Sequence, residues 1–241
     1  MELARPEFVP DPSLSQAEME QLQRDIAGAA VFEDSLGVDS RPLVAGVDQG
    51  FSGDSATSAV VAMRDGTVVE RAHATEETEI PYIPGLLSFR EGGAILSAFE
   101  RLETDPDVVL VDGSGRIYFR EAGLATHVGV TLDVPTVGVA KSLLCGRPQR
   151  SLDGKLPAGT RVPVGADDDV TAPAGTVIGY AVQTRQYDSA TQYINPLYVS
   201  PGHRVSAETA VDLVELTVTD YKLPEPVRLA DSYAESLIDR E

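Results

Sequence analysis

Apolar residues recur along the first third of the chain with helical and then strand-like spacing. SLSQAEMEQLQRDIAGAA places apolar residues at helical intervals after a capping box formed by Ser15 and Glu18, so we predict a helix over about 15–30. RPLVAGVDQGF is an apolar, β-branched run that predicts a buried strand ending in Asp48. In SAVVAMRDGTVVERAHA, two strand-like runs flank an Asp-Gly pair, which is a strong hairpin signal. A helix followed by three antiparallel strands is therefore expected.

The pattern then alternates between helices and strands. A helix is predicted after Pro84, the strand DVVLVDG ends at Asp112, and EAGLATHVGVTLD and PTVGVAKS predict the next helix and strand. GTVIGYAVQTR and PLYVS predict further strands, and SAETAVDLVELTVTDY and RLADSYAESLID predict the last two helices. Residues 148–175, rich in Pro, Gly and Asp, are predicted to be a flexible insertion. We expect one α/β domain over 1–241, with helices on the faces of a mixed sheet.

The composition is strongly acidic. Thirty-eight acidic and nineteen basic residues give a formal charge of -19, and the lysines number three: Lys141, Lys155 and Lys222. In molar salt the Debye length falls to about 3 Å, which screens this self-repulsion, so a salt-loving host explains the acidity. An ordinary acidic cytosolic protein is the alternative. Either way, the total charge argues against holding nucleic acid by bulk electrostatics.

Cysteine content and hydropathy bear on the compartment. Cys145 is the single cysteine of the sequence, so an intrachain disulfide is impossible and a reducing environment is expected. The first residues lack the apolar core of a signal peptide, and no run approaches the length of a membrane span. We expect a soluble, cytoplasmic monomer without membrane association.

Three carboxylates follow or begin successive predicted elements. Asp48 and Asp112 end apolar strands, and Glu91 lies in the first turn of the predicted helix between them. If the strands are neighbours, the carboxylates meet at a sheet edge, where their repulsion requires a cation. All-oxygen ligation suits Mg²⁺ or Mn²⁺. Taken one at a time, each has an ordinary alternative: Glu91 has capping-box spacing from Ser88, and both aspartates can be turn residues.

Two further residues carry weaker signals. Lys141 follows the strand TVGVA, where a positive charge can hold a phosphate or orient a water, although a solvated strand-end lysine fits equally well. His203 lies in a Pro-Gly turn and is therefore expected at the surface, either as a metal ligand or proton carrier or as an ordinary loop histidine.

A series of blocks carries a family resemblance. VAGVDQGF, PYIPGLLSFREGGAIL, VLVDGSGR, GLATHVGVTLDVPTVGVAKSLLCG and YVSPGHRVSAETAVDL with LPEPVRLAD together resemble endonuclease V, a repair nuclease for deaminated bases with an RNase H-like fold. The match covers roughly 190 residues in the right order. It implies an RNase H-like mixed sheet and a Mg²⁺-dependent endonuclease in which Mn²⁺ can substitute. The implied partner is DNA containing hypoxanthine, with inosine-containing RNA as an alternative.

The resemblance also implies roles for individual residues. The metal-binding residues would be Asp48, Glu91, Asp112 and His203, with Lys141 as the active-site lysine. The wedge that enters DNA would be Pro81, Tyr82, Ile83 and Pro84. The pocket for the displaced base would include Gly85, Leu87, Gly113 and Leu144. The enzyme would cut the second phosphodiester on the 3′ side of the lesion, leaving a 3′ hydroxyl and a 5′ phosphate.

Some positions depart from the family pattern. Ser114 and Tyr118 stand where histidines are expected, and Gln49-Gly50 follows Asp48 where smaller residues are usual. Two alternatives remain at this point: an actin-like or sugar-kinase-type ATPase, because DQGFSGDSAT and VDGSG resemble phosphate loops, and a non-catalytic nucleic-acid-binding module of the same fold.

Overall fold

The computed structural model describes residues 1–35, 41–189 and 191–239. Within these residues one nine-stranded sheet carries five α-helices, and a short 3₁₀ helix covers Pro6–Phe8. The strands are β1 Val44–Ser52, β2 Ser55–Arg64, β3 Thr67–Glu77, β4 Val108–Asp112, β5 Thr136–Ala140, β6 Arg147–Pro148, β7 Thr160–Gly165, β8 Val177–Gln183 and β9 Leu197–His203. The helices are α1 Gln16–Ala29, α2 Leu87–Glu100, α3 Leu124–Leu132, α4 Ala207–Thr217 and α5 Glu225–Ile238.

The sheet is mixed, with the strand order β3-β2-β1-β4-β5-β9-β8-β7-β6. Strands β1 to β3 pair antiparallel, whereas β4 is parallel to both β1 and β5. The β2–β3 turn uses Asp65 and Gly66 with φ of 50° and 73°, the left-handed pair that a tight hairpin needs. Three antiparallel strands leading into alternating helices and strands match the expected architecture.

Two apolar cores cover the two faces of the sheet. Helices α2 and α3 pack on one face, and α4 and α5 pack on the other. Helix α5 lies almost directly on β1: a Cβ at Gly46 would stand 2.1 Å from the carbonyl carbon of Pro226. Glycine is therefore required there, and this close approach brings the side chains of α5 to the middle of β1.

Helix α1 forms where its pattern predicts it. Ser15 Oγ accepts a hydrogen bond from Glu18 N, and Ser15 N donates to Glu18 Oε2 at 2.9 Å, so the capping box is present. The apolar face of α1 contributes Met19 and Ile26 to the interior. Among the residues described, no helix has both the length and the hydropathy to cross a bilayer.

Three local expectations differ from the structure. Strand β1 does not end at Asp48 but continues to Ser52, because it keeps pairing with β2 along its whole length. Residues 148–175, predicted as an insertion, contain β7, which extends the sheet by pairing with β8. His203 lies inside β9 rather than in a surface turn, and it is fully buried.

Candidate metal and nucleic-acid site

Asp48 and Asp112 lie side by side on the face of the sheet that α5 covers. The parallel register pairs Val47 with Val111, so the next residue of each strand is an aspartate. Asp48 shares the face of Gly46, against which α5 packs. The two carboxyl groups are close enough to share a hydrogen bond, and burial, followed by the negative charge of Asp112, raises the pKa of Asp48 well above its ordinary value. Nearby positive charge therefore does not fully offset the burial and the mutual repulsion of the two carboxylates.

Glu91 reaches the same edge from α2, on the opposite face. Its Oε2 accepts a hydrogen bond from Gln49 Nε2 at 3.0 Å, and the charge of Asp112 acts on it. Burial raises the pKa of Glu91 to about 7. The capping-box alternative is wrong: α2 begins at Leu87, and its N-cap makes no side-chain hydrogen bond. Glu91 thus lies in the second turn of α2.

Lys141 supplies the positive charge nearest to the aspartates. Its Nζ donates to Asp112 Oδ2 at 2.6 Å, and this contact raises the pKa of Lys141 against the opposing effect of burial. Asp48 and Asp231 contribute to the same rise. Asp231 comes from α5, between Val227, which lies against Gly46, and Ala234, which lies near Gly50. The site therefore receives a fourth carboxylate from α5.

His203 does not join this group, contrary to the resemblance. It pairs with Thr136 at the start of β5, whereas Asp112 pairs with Val139 near the end of that strand. Both ring nitrogens are occupied: Nδ1 accepts from Val31 N at 3.2 Å, and Nε2 lies 3.1 Å from Asp133 Oδ1. Burial lowers the pKa of His203. The histidine is a buried structural residue near the start of β5, at the opposite end of that strand from the carboxylates.

A pocket of about 260 Å³ opens beside the carboxylates. Its walls come from the loop before α2, the end of β4, the segment after it and the end of β5. They include all four predicted pocket residues and half of the predicted wedge: Tyr82, Pro84, Gly85, Leu87, Gly113 and Leu144. Asp112 and Lys141 also line it, so the pocket and the carboxylate site share a wall.

The remaining two wedge residues face different surroundings. Ile83 packs with the small apolar cluster of Met19, Leu86 and Phe89, whereas Pro81 is exposed. Tyr82 has 65% of its surface exposed. The loop is thus anchored by Ile83 and presents Tyr82 to solvent.

Helix α1 supports the pocket from behind. Gln23, fully buried, donates through Nε2 to Gly85 O at 2.9 Å and accepts from Arg120 at 3.0 Å. Tyr118, where the family pattern expects histidine, lines the pocket. Burial raises the pKa of Tyr118 to about 12, so it remains a neutral wall residue.

The carboxylates of Asp48, Glu91, Asp112 and Asp231 are of the chemical type that binds a hard divalent cation. Their oxygens suit Mg²⁺ or Mn²⁺. Burial first, and the charge of Asp112 in addition, raise the pKa values of Asp48 and Glu91, so a bound cation would offset the cost of ionising them. In the part of the chain that the structure describes, no three carboxylate, histidine or thiol groups are already arranged around one point. Lys141 Nζ contacts Asp112 Oδ2, and Gln49 Nε2 contacts Glu91 Oε2.

Two site residues were not predicted from the sequence. Gln49 was noted only as a departure from the family, yet it links β1 to Glu91. Asp231 stands within the block LPEPVRLAD, and helical periodicity offered a signal: Val227, Ala230 and Ala234 form the buried stripe of α5, on which an aspartate at 231 is unexpected.

A second cavity, of about 250 Å³, lies at the other end of β1. Val44, Met63 and Pro226 form part of its lining. None of the predicted site residues lines it, so it is separate from the carboxylate site.

Comparison with known proteins identifies the family. The family model for Endonuclease V matches residues 24–232. A relative from Haloarcula marismortui, an Endonuclease V, is 66% identical over 96% of this chain and 95% of its own. The catalytic domain of human Endonuclease V is 31% identical, with a TM-score of 0.81 over 95% of this chain and 98% of that one.

A more distant structure shares the fold. Ciona intestinalis Endonuclease V, in complex with DNA containing an inosine followed by a ribo-adenosine, is 23% identical with a TM-score of 0.76, covering 93% of this chain and 97% of that one. The family match covers most of the chain and contradicts the kinase-type alternative. The chain belongs to the Endonuclease V family of nucleases.

Proposed function

We propose that this endonuclease repairs DNA containing deaminated bases, above all hypoxanthine, in a reaction that requires Mg²⁺ or Mn²⁺. It hydrolyses the second phosphodiester on the 3′ side of the lesion and leaves a 3′ hydroxyl and a 5′ phosphate. The observation that carries the proposal is the wall shared by the carboxylate site and the pocket, formed by Asp112 and Lys141. The inosine-containing DNA bound by the Ciona relative supports the same substrate.

The carboxylates of Asp48, Asp112, Glu91 and Asp231 would hold the cation. When bound, a divalent cation activates water and stabilises the leaving oxygen of a phosphodiester. In this proposal Asp231 replaces His203 as the fourth metal ligand. The charge of Asp231 acts on Lys141, whereas His203 lies at the opposite end of β5. Lys141 contacts Asp112 through Nζ and also lines the pocket, so it can hold a phosphate oxygen.

The wedge and the pocket would select the base. Proline fixes φ near -65° and restricts the residue before it, so Pro81 and Pro84 stiffen the loop that presents Tyr82. An exposed, rigid aromatic ring can fill the gap left by an extruded base and recover stacking worth about 1–3 kcal/mol. The displaced base would enter the neighbouring pocket, between the wedge loop and Leu144.

Cysteine content and net charge bear on the compartment in which the enzyme works. We infer a cytoplasmic enzyme, because Cys145 is the single cysteine of the sequence and is buried as a free thiol, as expected in a reducing compartment. We propose that it acts as a monomer. Its charge of -19 suits a saline cytoplasm, in keeping with its relative from the halophile Haloarcula marismortui. DNA is the proposed substrate, and inosine-containing RNA is the alternative that the assay below distinguishes.

A nicking assay tests the proposal. Wild-type protein in molar KCl with Mg²⁺ is expected to nick inosine-containing DNA at the stated position, and to leave the same sequence with adenine intact. Asp112→Ala should abolish nicking, whereas Asp168→Ala, at an exposed aspartate in the loop after β7, should not. Specific binding without nicking in either metal would instead support a non-catalytic module. Nicking confined to RNA strands would assign RNA as the substrate.

A further inference from the structure

The loop before β9 lies at the edge of the sheet that carries the carboxylates. Strand β9 runs antiparallel to β5 and pairs Tyr198 with Ala140, so Leu197 lies opposite Lys141. We name residues 184–196 the tyrosine loop; the structure describes all of them but residue 190. Tyr193 precedes Leu197 by four residues, which an extended chain spans in at most about 14 Å. The loop therefore borders the site.

Two tyrosine rings of this loop face solvent. Tyr187 is 47% exposed and Tyr193 is 59% exposed, although rings of this size are often packed in a hydrophobic core. The backbone beneath them is firmly held: Gln186 Oε1 accepts from Ile194 N at 2.7 Å, and Gln183 Nε2 donates to Ile194 O at 2.9 Å. A fixed backbone with exposed rings is the arrangement of a contact surface rather than of a packing element.

The lysines of this acidic protein gather around the same loop. Lys155 Nζ donates to Ser189 O at 2.7 Å and to the carbonyl of Tyr187. Lys222 is tied to the loop because its carbonyl accepts from Thr184 Oγ1 at 2.7 Å. Lys222 and Lys141 are close enough for their charges to interact. A path from the site along the loop would therefore pass Lys141, Lys222 and Lys155, the three lysines of the sequence.

Charge alone cannot hold a strand on this path. Asp188 lies in the loop and Asp220 lies near Lys222, and in molar salt phosphate contacts are largely screened. Stacking of bases on aromatic rings does not depend on counterion release. For an enzyme of net charge -19, exposed tyrosines are therefore the contacts that would retain a strand when salt is high.

We propose that the tyrosine loop is a stacking platform on which Tyr187 and Tyr193 hold unpaired bases of the DNA strand that flanks the lesion. This inference rests on the proposed function and extends it from the lesion to the flanking strand. Lys222 and Lys155 line the path of the backbone. The platform takes bases that are free to stack, because the faces of bases inside a duplex are already covered.

Binding measurements test the platform. In a background of Asp112→Ala, which prevents cleavage, affinity is measured for an inosine-containing single strand and for the same strand fully paired. Each of Tyr187→Ala and Tyr193→Ala is expected to weaken binding of the single strand about 10-fold, with a smaller loss on the duplex. Tyr187→Phe and Tyr193→Phe keep the ring and should bind like the parent. Val69→Ala, at an exposed residue of β3, serves as the control that should change nothing.

Salt dependence separates stacking from charge. The loss caused by the tyrosine substitutions should be the same in low and in molar KCl, whereas the loss caused by Lys222→Ala should shrink as salt rises. Unchanged affinity of both alanine variants for the single strand, or an equal loss on the paired substrate, would overturn the platform. Failure of the proposed function is distinguishable, because wild-type protein would then show no preference for inosine-containing DNA and no nicking.

Discussion

Replacing Glu91 with glutamine should stabilise the metal-free protein above neutral pH. Burial raises the pKa of Glu91 from 4.5 to about 7, so ionising it in the folded state is costly. A difference of that size corresponds to about 3 kcal/mol, and the partial exposure of the side chain lowers the expected gain to about 2 kcal/mol. Glutamine keeps an oxygen that can accept the Gln49 hydrogen bond, so the change removes mainly the charge.

The pH dependence follows from the direction of the shift. Between pH 4.5 and about 7, the folded protein binds a proton at Glu91 that the unfolded chain has released. The stabilising contribution of Glu91 is therefore fully present below pH 4.5 and is lost as the pH rises through about 7. Wild type and Glu91→Gln should thus be equally stable near pH 4.5 and should diverge toward pH 8.

Thermal unfolding with a chelator, in constant molar KCl, measures the difference. For a protein of this length, about 2 kcal/mol corresponds to a gain in Tm of roughly 4–8 °C at pH 8. Glu100→Gln, at an exposed carboxylate at the other end of α2, is the matched control and should show no gain. Excess Mg²⁺ should raise the Tm of the wild type more than that of the variant. A Glu91→Gln protein equal to or less stable than wild type at pH 8 would refute the reasoning.

The remaining predictions concern neighbouring residues. Lys141→Met should slow nicking yet tighten the apparent affinity for Mg²⁺ several-fold, because Lys141 no longer competes for Asp112; weaker Mg²⁺ binding in a titration would contradict this. Asp231→Asn should lose most of its nicking activity while folding normally, whereas His203→Asn should lower the unfolding free energy by about 2 kcal/mol and retain nicking per folded molecule. Tyr82→Ala should raise the KM for inosine duplexes about 10-fold, with Tyr82→Phe near wild type, and unchanged kinetics for both would remove the wedge.

Local sequence patterns were sufficient for most of the secondary structure. The capping box at Ser15 set the start of α1, and the Asp65-Gly66 pair set the β2–β3 turn because its left-handed φ angles suit those residues. The end of β1 was misplaced by four residues, since pairing with β2 continues beyond the apolar run. The sequence pattern does not predict strand β7, because this strand is stabilised by pairing with β8 and composition does not reveal that pairing.

The candidate site depended on both levels. The sequence by itself determined that Asp48 and Asp112 end apolar stretches and that Tyr82 stands between two prolines, since these are properties of neighbouring residues. Only the tertiary structure decided that the aspartates are adjacent, through the parallel register of β1 and β4. It also decided that the charge of Asp231 acts on Lys141, whereas His203 lies at the opposite end of β5. Strand adjacency and helix packing join residues far apart in sequence, and close packing, such as that of α5 on Gly46, selects among arrangements that the local pattern allows equally.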